Sequence, residues 1–362
     1  MSASAELEEG GAATRGNSGT EAQSTGPWIV GPTQDKLMLI GAPWLALVVG
    51  ALTSVALLRT EGLFHDVLMV ALITVTMGHV FSVFFRSHCN QDIYVQHRFR
   101  FTIVPVFVLM LVSLSQWGFA LAMVIVPWWD VIHQARQTQR IGRMYDEKIG
   151  LVSSENDGWE RGLTLLLYAA PLLAGINFID QVRTTEVLER VNLGWGFSVS
   201  SLAAEHTGIV SALVGAACVV FLGLYGKHVR SRGGQGLPGS KHKWALYAST
   251  GLVSVFAWGF NSFGLGILIM TLFHGIQYLC LVWHSERESI RDMFELEDSP
   301  RGKLLTAAVF FALPIGYGVF AYLSGNSNAL KFAFNILITG SILHYWYDGF
   351  IWSMSSKPRE PA

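Results

Sequence analysis

The sequence predicts an all-α fold, a polytopic transmembrane helical bundle of about ten spanning helices with both the N- and C-termini cytoplasmic. Of the 362 residues, 51% are hydrophobic and only 14% are charged, and the mean hydropathy is +0.40. A soluble domain carries roughly 25% charged residues. The charges here fall in short stretches between long apolar runs, a pattern typical of a bilayer protein. Because the formal net charge is -1, we expect no nucleic-acid partner.

Ten apolar segments are each close to the roughly 20 residues that cross the hydrocarbon core of a membrane as a helix. Before them, residues 1–34 are rich in Gly, Ser, Thr and Glu, so we expect a disordered cytoplasmic tail. Residues 355–362 are expected to form a second, short cytoplasmic tail, which leaves residues 35–354 as the transmembrane helical domain. The predicted spans are residues 37–58, 63–86, 99–115, 117–137, 162–179, 207–226, 242–260, 262–284, 303–324 and 330–353.

The apolar run from Phe101 to Trp129 decides the number of crossings. It is too long for one ordinary span, and Ser113, Ser115 and Gln116 in its middle suit a tight turn, so we predict two helices. With the N-terminus inside, this topology places 21 of the 25 lysines and arginines on the cytoplasmic side, as the positive-inside rule requires. Joining the two helices into one would place every later loop on the wrong side.

Histidines lie at overlapping depth in the inner half of several predicted spans. Ionisable residues inside a bilayer are costly and are usually functional. The sequence therefore predicts a shared metal site, and the alternative is that each histidine makes a separate interhelical hydrogen bond. The candidate metal ligands are His79, His133, His274 and His344 on four different spans, with His284 at the end of the same span as His274 as a fifth.

Each of three histidine-bearing spans also carries a carboxylate or amide on the same helical face, because residues three or four apart are neighbours on a helix. Asp130 precedes His133 by three residues, Gln277 follows His274 by three, and Asp348 follows His344 by four. Such a group can fix the tautomer of a metal-bound imidazole, or it can ligate the metal. We therefore predict catalytic roles for Asp130, Gln277 and Asp348. The same pattern would also suit a proton-handling site.

The ligand types indicate a transition metal. Imidazole and carboxylate suit iron, zinc, copper or manganese. Cys89, Cys218 and Cys280 form no CxxC pair, so the sequence does not favour thiolate ligation. We favour iron, because a histidine site embedded in a membrane suits oxygen chemistry on lipids. Haem held by axial histidines is an alternative, although the sequence has no haem-specific feature.

The segment Trp283–Arg287, WHSER, resembles the WHSxR element of the Brp/Blh-type membrane carotene oxygenases. The resemblance is confined to a short stretch around the span 262–284. It implies a polytopic protein with single histidines on separate helices that binds iron and cleaves β-carotene. On this match, His284 alone is carried over as a ligand, and the family's next histidine is Glu288 here. Membrane fatty-acid desaturases and hydroxylases use HxxxH and HxxHH boxes, which this sequence does not contain.

These features favour a membrane enzyme, a metal-dependent oxidoreductase or oxygenase that acts on a hydrophobic, lipid-like substrate entering from the membrane lipids. The alternative is a proton- or metal-ion-translocating transporter that uses the same histidines. Proton-coupled carriers usually place acidic residues or lysine near the membrane midplane, and inverted repeats are common among them. The predicted spans offer neither feature, so the sequence favours the enzyme.

Overall fold

In the computed structural model, the structure describes residues 26–54, 63–151, 157–233, 239–325 and 331–354. These residues are helical throughout apart from short connections, and they include no strand. A π-helix, Asp35–Leu39, joins the first two α-helices, and a 3₁₀-helix, Thr184–Val191, follows the seventh. The α-helices are α1 (Pro32–Gln34), α2 (Ala42–Ser54), α3 (Leu63–Ser87), α4 (Gln91–Leu114), α5 (Gln116–Lys148), α6 (Asp157–Ala174), α7 (Asn177–Arg183), α8 (Gly194–Glu205), α9 (Thr207–Gly233), α10 (Lys241–Phe260), α11 (Phe263–Met293), α12 (Pro300–Gly325) and α13 (Lys331–Met354).

Several of these helices are typical of an integral membrane protein. Among the described residues, five are long and apolar enough to cross a membrane, and the number rises to seven if two bent helix pairs each count as one span. Within α9, the most apolar window buries none of its residues against the rest of the chain, so lipid is the environment that suits its side chains. The five are Val67–Ser87, Gln91–Leu114, Thr207–Ser231, Gly264–Met293 and Pro300–Ser324.

The predicted turn inside the long apolar run is confirmed, because α4 ends at Leu114 and α5 begins at Gln116. Ser115 between them has extended backbone angles, and its hydroxyl accepts a hydrogen bond of 3.1 Å from the Gly118 amide. A serine in this position satisfies one of the amides that the first turn of a helix leaves without a partner.

Two predicted spans are broken rather than continuous. The segment Pro32–Leu39 meets Ala42–Thr53 at 43°, and Gly158–Ala174 meets Asn177–Val191 at 88°. The predicted span 162–179 therefore ends as a straight helix at Ala174. Gly175 makes this break possible, because a Cβ there would collide with the backbone oxygens of Pro171 and Trp258.

The sequence analysis predicted a disordered tail that ends at residue 34, but the last part of that segment is packed against the bundle. Ile29 is buried, and the buried Asp35 carboxylate accepts hydrogen bonds from the amides of Ile29 (2.7 Å), Val30 (3.0 Å) and Gly31 (3.2 Å). Three amide donors offset the cost of burying a carboxylate and fix the segment against the bundle. The rest of the predicted tails, residues 1–25 and 355–362, lies outside the described residues.

The interior of the bundle is built around α3. It packs along α12 and α11, and α13 contacts both α3 and α5. The approach of α3 to α11 is close enough that a Cβ on Gly275 would lie 2.6 Å from the Val75 carbonyl oxygen. As a result, α3, α5, α11 and α13 enclose a common interior space.

Candidate metal centre

Four of the predicted ligands meet in this interior, one from each of α3, α5, α11 and α13. All of them are buried, with no more than 4% of any residue exposed. We call them the histidine cluster, and its members are His79, His133, His274 and His344.

The imidazole rings of the histidine cluster form a closed circuit. Neighbouring rings are steeply inclined, at 66° to 84°. Imidazoles bound to one ion through bonds of about 2 Å have ring centroids about 4.5 to 6 Å apart. The observed spacing is close to that range. Centroids lie 4.9 Å apart for His79 and His274, 4.9 Å for His133 and His274, 4.8 Å for His133 and His344, 5.1 Å for His79 and His344, and 6.3 Å for His274 and His344 across the circuit.

The backbone of α3 fixes the tautomer of His79. Its Nδ1 lies 3.1 Å from the carbonyl oxygen of Val75, one turn earlier. A carbonyl oxygen can only accept, so Nδ1 carries the hydrogen and Nε2 is left with its lone pair. This is the arrangement that a metal-binding histidine usually has.

The other rings of the histidine cluster carry buried nitrogens that lack a hydrogen-bond partner among the described residues. They are Nε2 of His133, Nε2 of His274 and both ring nitrogens of His344. A buried polar atom without a partner costs about 1–3 kcal/mol. A cation bound among these rings would give a partner to the nitrogens that face it, so the donor set fits a transition metal.

The potential ligand atoms divide into two overlapping sets. The three-histidine set is His79, His274 and His344, and the Asp348 set is His133, His344 and Asp348. Within each set, one donor atom per residue lies within 4.8 Å of the others. Donors on a single ion lie about 3 to 4 Å apart, so either set is close to ligand spacing. His344 belongs to both.

Asp348, a predicted catalytic residue, lies beside the histidine cluster on α13 and is 1% exposed. Its Oδ1 accepts a hydrogen bond of 2.8 Å from the Tyr278 hydroxyl, and its Oδ2 lies 3.9 Å from Nε2 of His133. Arg140 on α5 interacts with this carboxylate. Burial lowers the pKa of the Arg140 guanidinium, and the negative charge of Asp348 acts in the opposite direction.

Asp130, the second predicted carboxylate, reaches the histidine cluster indirectly. Its Oδ1 accepts a hydrogen bond of 3.2 Å from the Tyr345 hydroxyl, and its Oδ2 accepts one of 2.7 Å from Gln134. The Tyr345 ring in turn lies 4.8 Å from the His133 ring, centroid to centroid. Asp130 can therefore orient the neighbours of His133, but it belongs to neither ligand set.

Gln277 braces the helices one turn away from the ligands. Its Nε2 donates 2.7 Å to the carbonyl oxygen of Leu39, and its Oε1 accepts 3.3 Å from Gln137. The Gln137 amide also donates 3.1 Å to the carbonyl oxygen of His274. These bonds tie the π-helix Asp35–Leu39 and α5 to the part of α11 that carries the ligand.

His284, the fifth predicted ligand, is not brought to the histidine cluster. It is half-buried and follows His274 by ten residues on the same continuous helix, which places the two about 15 Å apart along the axis.

Cys89, in the connection after α3, offers no thiolate. Burial, with a smaller contribution from the charge of Glu286, raises the pKa of the Cys89 thiol to about 11.

Sequence reasoning missed two tyrosines that line the histidine cluster. The ring centroid of Tyr278 lies 4.8 Å from that of His344, and the ring centroid of Tyr345 lies 5.7 Å from it. Tyr278 follows His274 by four residues, so helical spacing could have identified it. Tyr345 is adjacent to His344 in sequence, and no periodicity would place it beside His133.

Comparisons of the chain with models of protein families, with curated proteins and with solved structures found no match.

Proposed function

We propose that this chain is an integral membrane oxidoreductase or oxygenase that holds a transition metal, iron in preference to the others, and acts on a hydrophobic, lipid-like substrate. The observation that carries the proposal is the three-histidine set. Its members come from three separate helices, and none of them is more than 2% exposed. Among the described residues, one nitrogen of His274 and two of His344 have no hydrogen-bond partner.

Three imidazole ligands favour a catalytic rather than a purely structural metal. Structural zinc sites are usually closed by four protein ligands, whereas catalytic sites keep a position for water or substrate. When bound, such a metal supplies Lewis-acid or oxygen chemistry at that open position. His133 lies at the edge of the three-histidine set, 4.9 Å from His274 by ring centroids, so it can act on whatever occupies the position.

The surroundings favour iron and an apolar substrate. Asp348 adds a carboxylate to the imidazoles, a combination that suits iron among the transition metals. On α5, which carries His133, the side chains of Trp117, Leu121, Ile125 and Ile132 are exposed, which suits a substrate that reaches the protein from the membrane lipids. The WHSER resemblance to membrane carotene oxygenases points to the same chemistry, although His284 itself lies away from the cluster.

The chain's own polar residues have distinct proposed roles. Asp348 ligates the metal or orients the His133 ring. The Tyr278 hydroxyl fixes one oxygen of the Asp348 carboxylate through a hydrogen bond of 2.8 Å. Asp130 orients Tyr345 beside His133 through a bond of 3.2 Å. Gln277 positions α11 relative to the π-helix Asp35–Leu39.

Elemental analysis of detergent-purified protein tests the proposal. We expect stoichiometric iron or another transition metal in the wild type, and loss of that metal in His274→Ala and His344→Ala. The control is His206→Ala, which removes an exposed histidine whose Nδ1 bonds to the Leu202 carbonyl oxygen at 2.9 Å. Folded protein with no bound metal, before and after iron is supplied, would refute the proposed function.

We also propose ten membrane crossings with both termini cytoplasmic. The support is a described helix at each of the ten predicted spans and the strong excess of lysine and arginine in the proposed cytoplasmic segments. Reporter fusions in the connections after α4 and α5 test it. A tag after Leu114 should lie on the outer side of the membrane and a tag after Gly150 in the cytoplasm, and the reverse would refute the topology.

Ion translocation is the second candidate function. The observation that favours it is the row of buried polar groups beside the histidine cluster, in which Asp348 contacts Tyr278 and Arg86 pairs with Glu286 at 3.6 Å. Intramembrane ionisable chains of this kind mark proton and ion paths in transporters. Uptake of protons or of radioactive metal ions by proteoliposomes, abolished in Asp348→Asn, would move this function ahead of the enzyme.

A further inference from the structure

We propose that the histidine cluster holds two metal ions, one in the three-histidine set and one in the Asp348 set, bridged by the imidazole of His344. The inference rests on the proposed function, because it assumes that the first ion is bound. It adds a second metal subsite, defines its ligands and identifies His344 as the shared residue.

The donors that a first ion leaves behind point to the second. An ion in the three-histidine set would be held by Nε2 of His79, Nε2 of His274 and one nitrogen of His344. The other nitrogen of His344 is still buried without a hydrogen-bond partner among the described residues, and so is Nε2 of His133. One ion therefore removes only half of the cost of burying these atoms.

The leftover donors already lie together. Nε2 of His133 is 3.9 Å from Oδ2 of Asp348. One donor atom from each of His133, His344 and Asp348 lies within 4.8 Å of the other two. The Tyr278 hydroxyl occupies Oδ1 of Asp348 at 2.8 Å. It therefore holds the carboxylate with Oδ2 on the side of His133, which is where a second ion would bind.

Charge determines the relative strength of the two subsites. Bridging requires His344 to lose its remaining ring proton to solvent, and the resulting imidazolate offsets part of the added positive charge. Arg86 and Arg140 place further positive charge near His344 and Asp348, and Glu286 pairs with Arg86 at 3.6 Å. The second ion is added against the charge of the first and of these guanidinium groups, so it should bind more weakly and be lost first to a chelator.

The ligand types also suggest what the second ion is. Two histidines and one carboxylate, with open positions, are the ligand set of many ferrous oxygenases. The Asp348 set, His133, His344 and Asp348, has this composition. Ferrous iron is accordingly the ion that it suits best.

Metal stoichiometry tests the inference on the full chain. The detergent-purified protein is stripped with a chelator, equilibrated with buffered Zn²⁺ and analysed for bound zinc per chain. We expect two ions in the wild type and in the surface control His206→Ala, one in His133→Ala and in Asp348→Asn, and fewer than one in His344→Ala. The second ion of the wild type should fill at higher free Zn²⁺ than the first.

The outcomes separate the two proposals. No zinc in folded wild type would overturn the proposed function together with this inference. One zinc per chain, unchanged in Asp348→Asn, would overturn the second subsite alone, and so would two ions that persist in Asp348→Asn. If the variants do not fold, Cu²⁺-loaded wild type decides: a half-field electron paramagnetic resonance signal from a coupled pair supports the bridge, and the spectrum of isolated Cu²⁺ at full loading refutes it.

Discussion

The Tyr278 hydroxyl on α11 donates a hydrogen bond of 2.8 Å to the Asp348 carboxylate on α13. The bond links two of the four helices that carry the histidine cluster. The Tyr278 ring also lies 4.8 Å from the ring of His344, centroid to centroid, so the same side chain contacts a proposed ligand and orients another. Arg86 of α3 interacts with the same hydroxyl.

Replacing Tyr278 by phenylalanine should weaken metal binding while keeping the packing of the ring. Groups that orient metal ligands contribute about 10- to 100-fold to metal affinity, so we expect a loss of that size in competition with a coloured chelator. The matched control is Tyr317→Phe on α12, which also removes a buried hydroxyl, one that has no hydrogen-bond partner among the described residues. Equal affinities for Tyr278→Phe and wild type would contradict the orienting role.

Gly275 keeps α11 close to the histidine-bearing turn of α3. A Cβ at this position would lie 2.6 Å from the Val75 carbonyl oxygen and 3.1 Å from Nδ1 of His79. Gly275→Ala should therefore separate the helices, destabilise the protein by about 1–3 kcal/mol and displace His79 from the cluster. Thermal unfolding in detergent and metal content measure the two effects.

Gly316→Ala on α12 is the control for this substitution, because nothing lies within 4 Å of its added Cβ. The control should unfold at or above the wild-type temperature, since alanine has the higher helix propensity. A wild-type melting temperature and full metal content in Gly275→Ala would show that α3 and α11 accommodate the added methyl group, and would contradict the prediction.

The sequence predicted the all-helical character of the chain and the four histidines that meet, and the reason is physical. A bilayer forces each long apolar segment into a helix, and depth along that helix follows from residue number, so histidines at equal depth can be identified without a structure. Which side of each helix faces the interior is a property of packing. His284 was included because it ends the same span as His274 and matches the WHSER element, but ten residues of helix place it about 15 Å along the axis from His274.

Other features depended on specific contacts that composition and periodicity do not reveal. The order of residues 26–34 comes from the amides of Ile29, Val30 and Gly31, which bond to a buried Asp35. No composition rule distinguishes such a segment from a disordered tail. The 88° break after Ala174 likewise depends on Gly175 approaching the backbone oxygen of Trp258 on α10, a contact across the bundle.

The Cys89 thiol should react slowly with alkylating agents, and its rate should keep increasing with pH. The thiolate is the reactive form, and burial raises the pKa of Cys89 to about 11. Between pH 7 and 9.5, the thiolate fraction of such a group grows about tenfold per unit. The rate is measured with iodoacetamide in a Cys218→Ser, Cys280→Ser chain. A rate that levels off near pH 9, as for a model thiol peptide, would contradict the raised pKa.

Lys243 on α10 is a buried cation that holds together the ends of three helices. It is 2% exposed, and its Nζ lies 2.6 Å from Oδ2 of Asp146 on α5 and 3.2 Å from Oε1 of Glu160 on α6. Lys243→Met leaves two carboxylates without their cation in a largely buried place. Breaking a buried pair in this way costs about 3–5 kcal/mol, which a chemical unfolding curve in mixed micelles can measure.

A surface ion pair on α5, the helix that carries Asp146, provides the contrast. Arg143 and Glu147 form an ion pair of 3.0 Å with both side chains well exposed, so Arg143→Met should change the unfolding free energy by less than about 1 kcal/mol. Adding Asp146→Asn to Lys243→Met should restore part of the lost stability, because it removes one of the two stranded charges. If the double variant is as unstable as the sum of its single substitutions, the loss comes from packing of the lysine stem rather than from its charge.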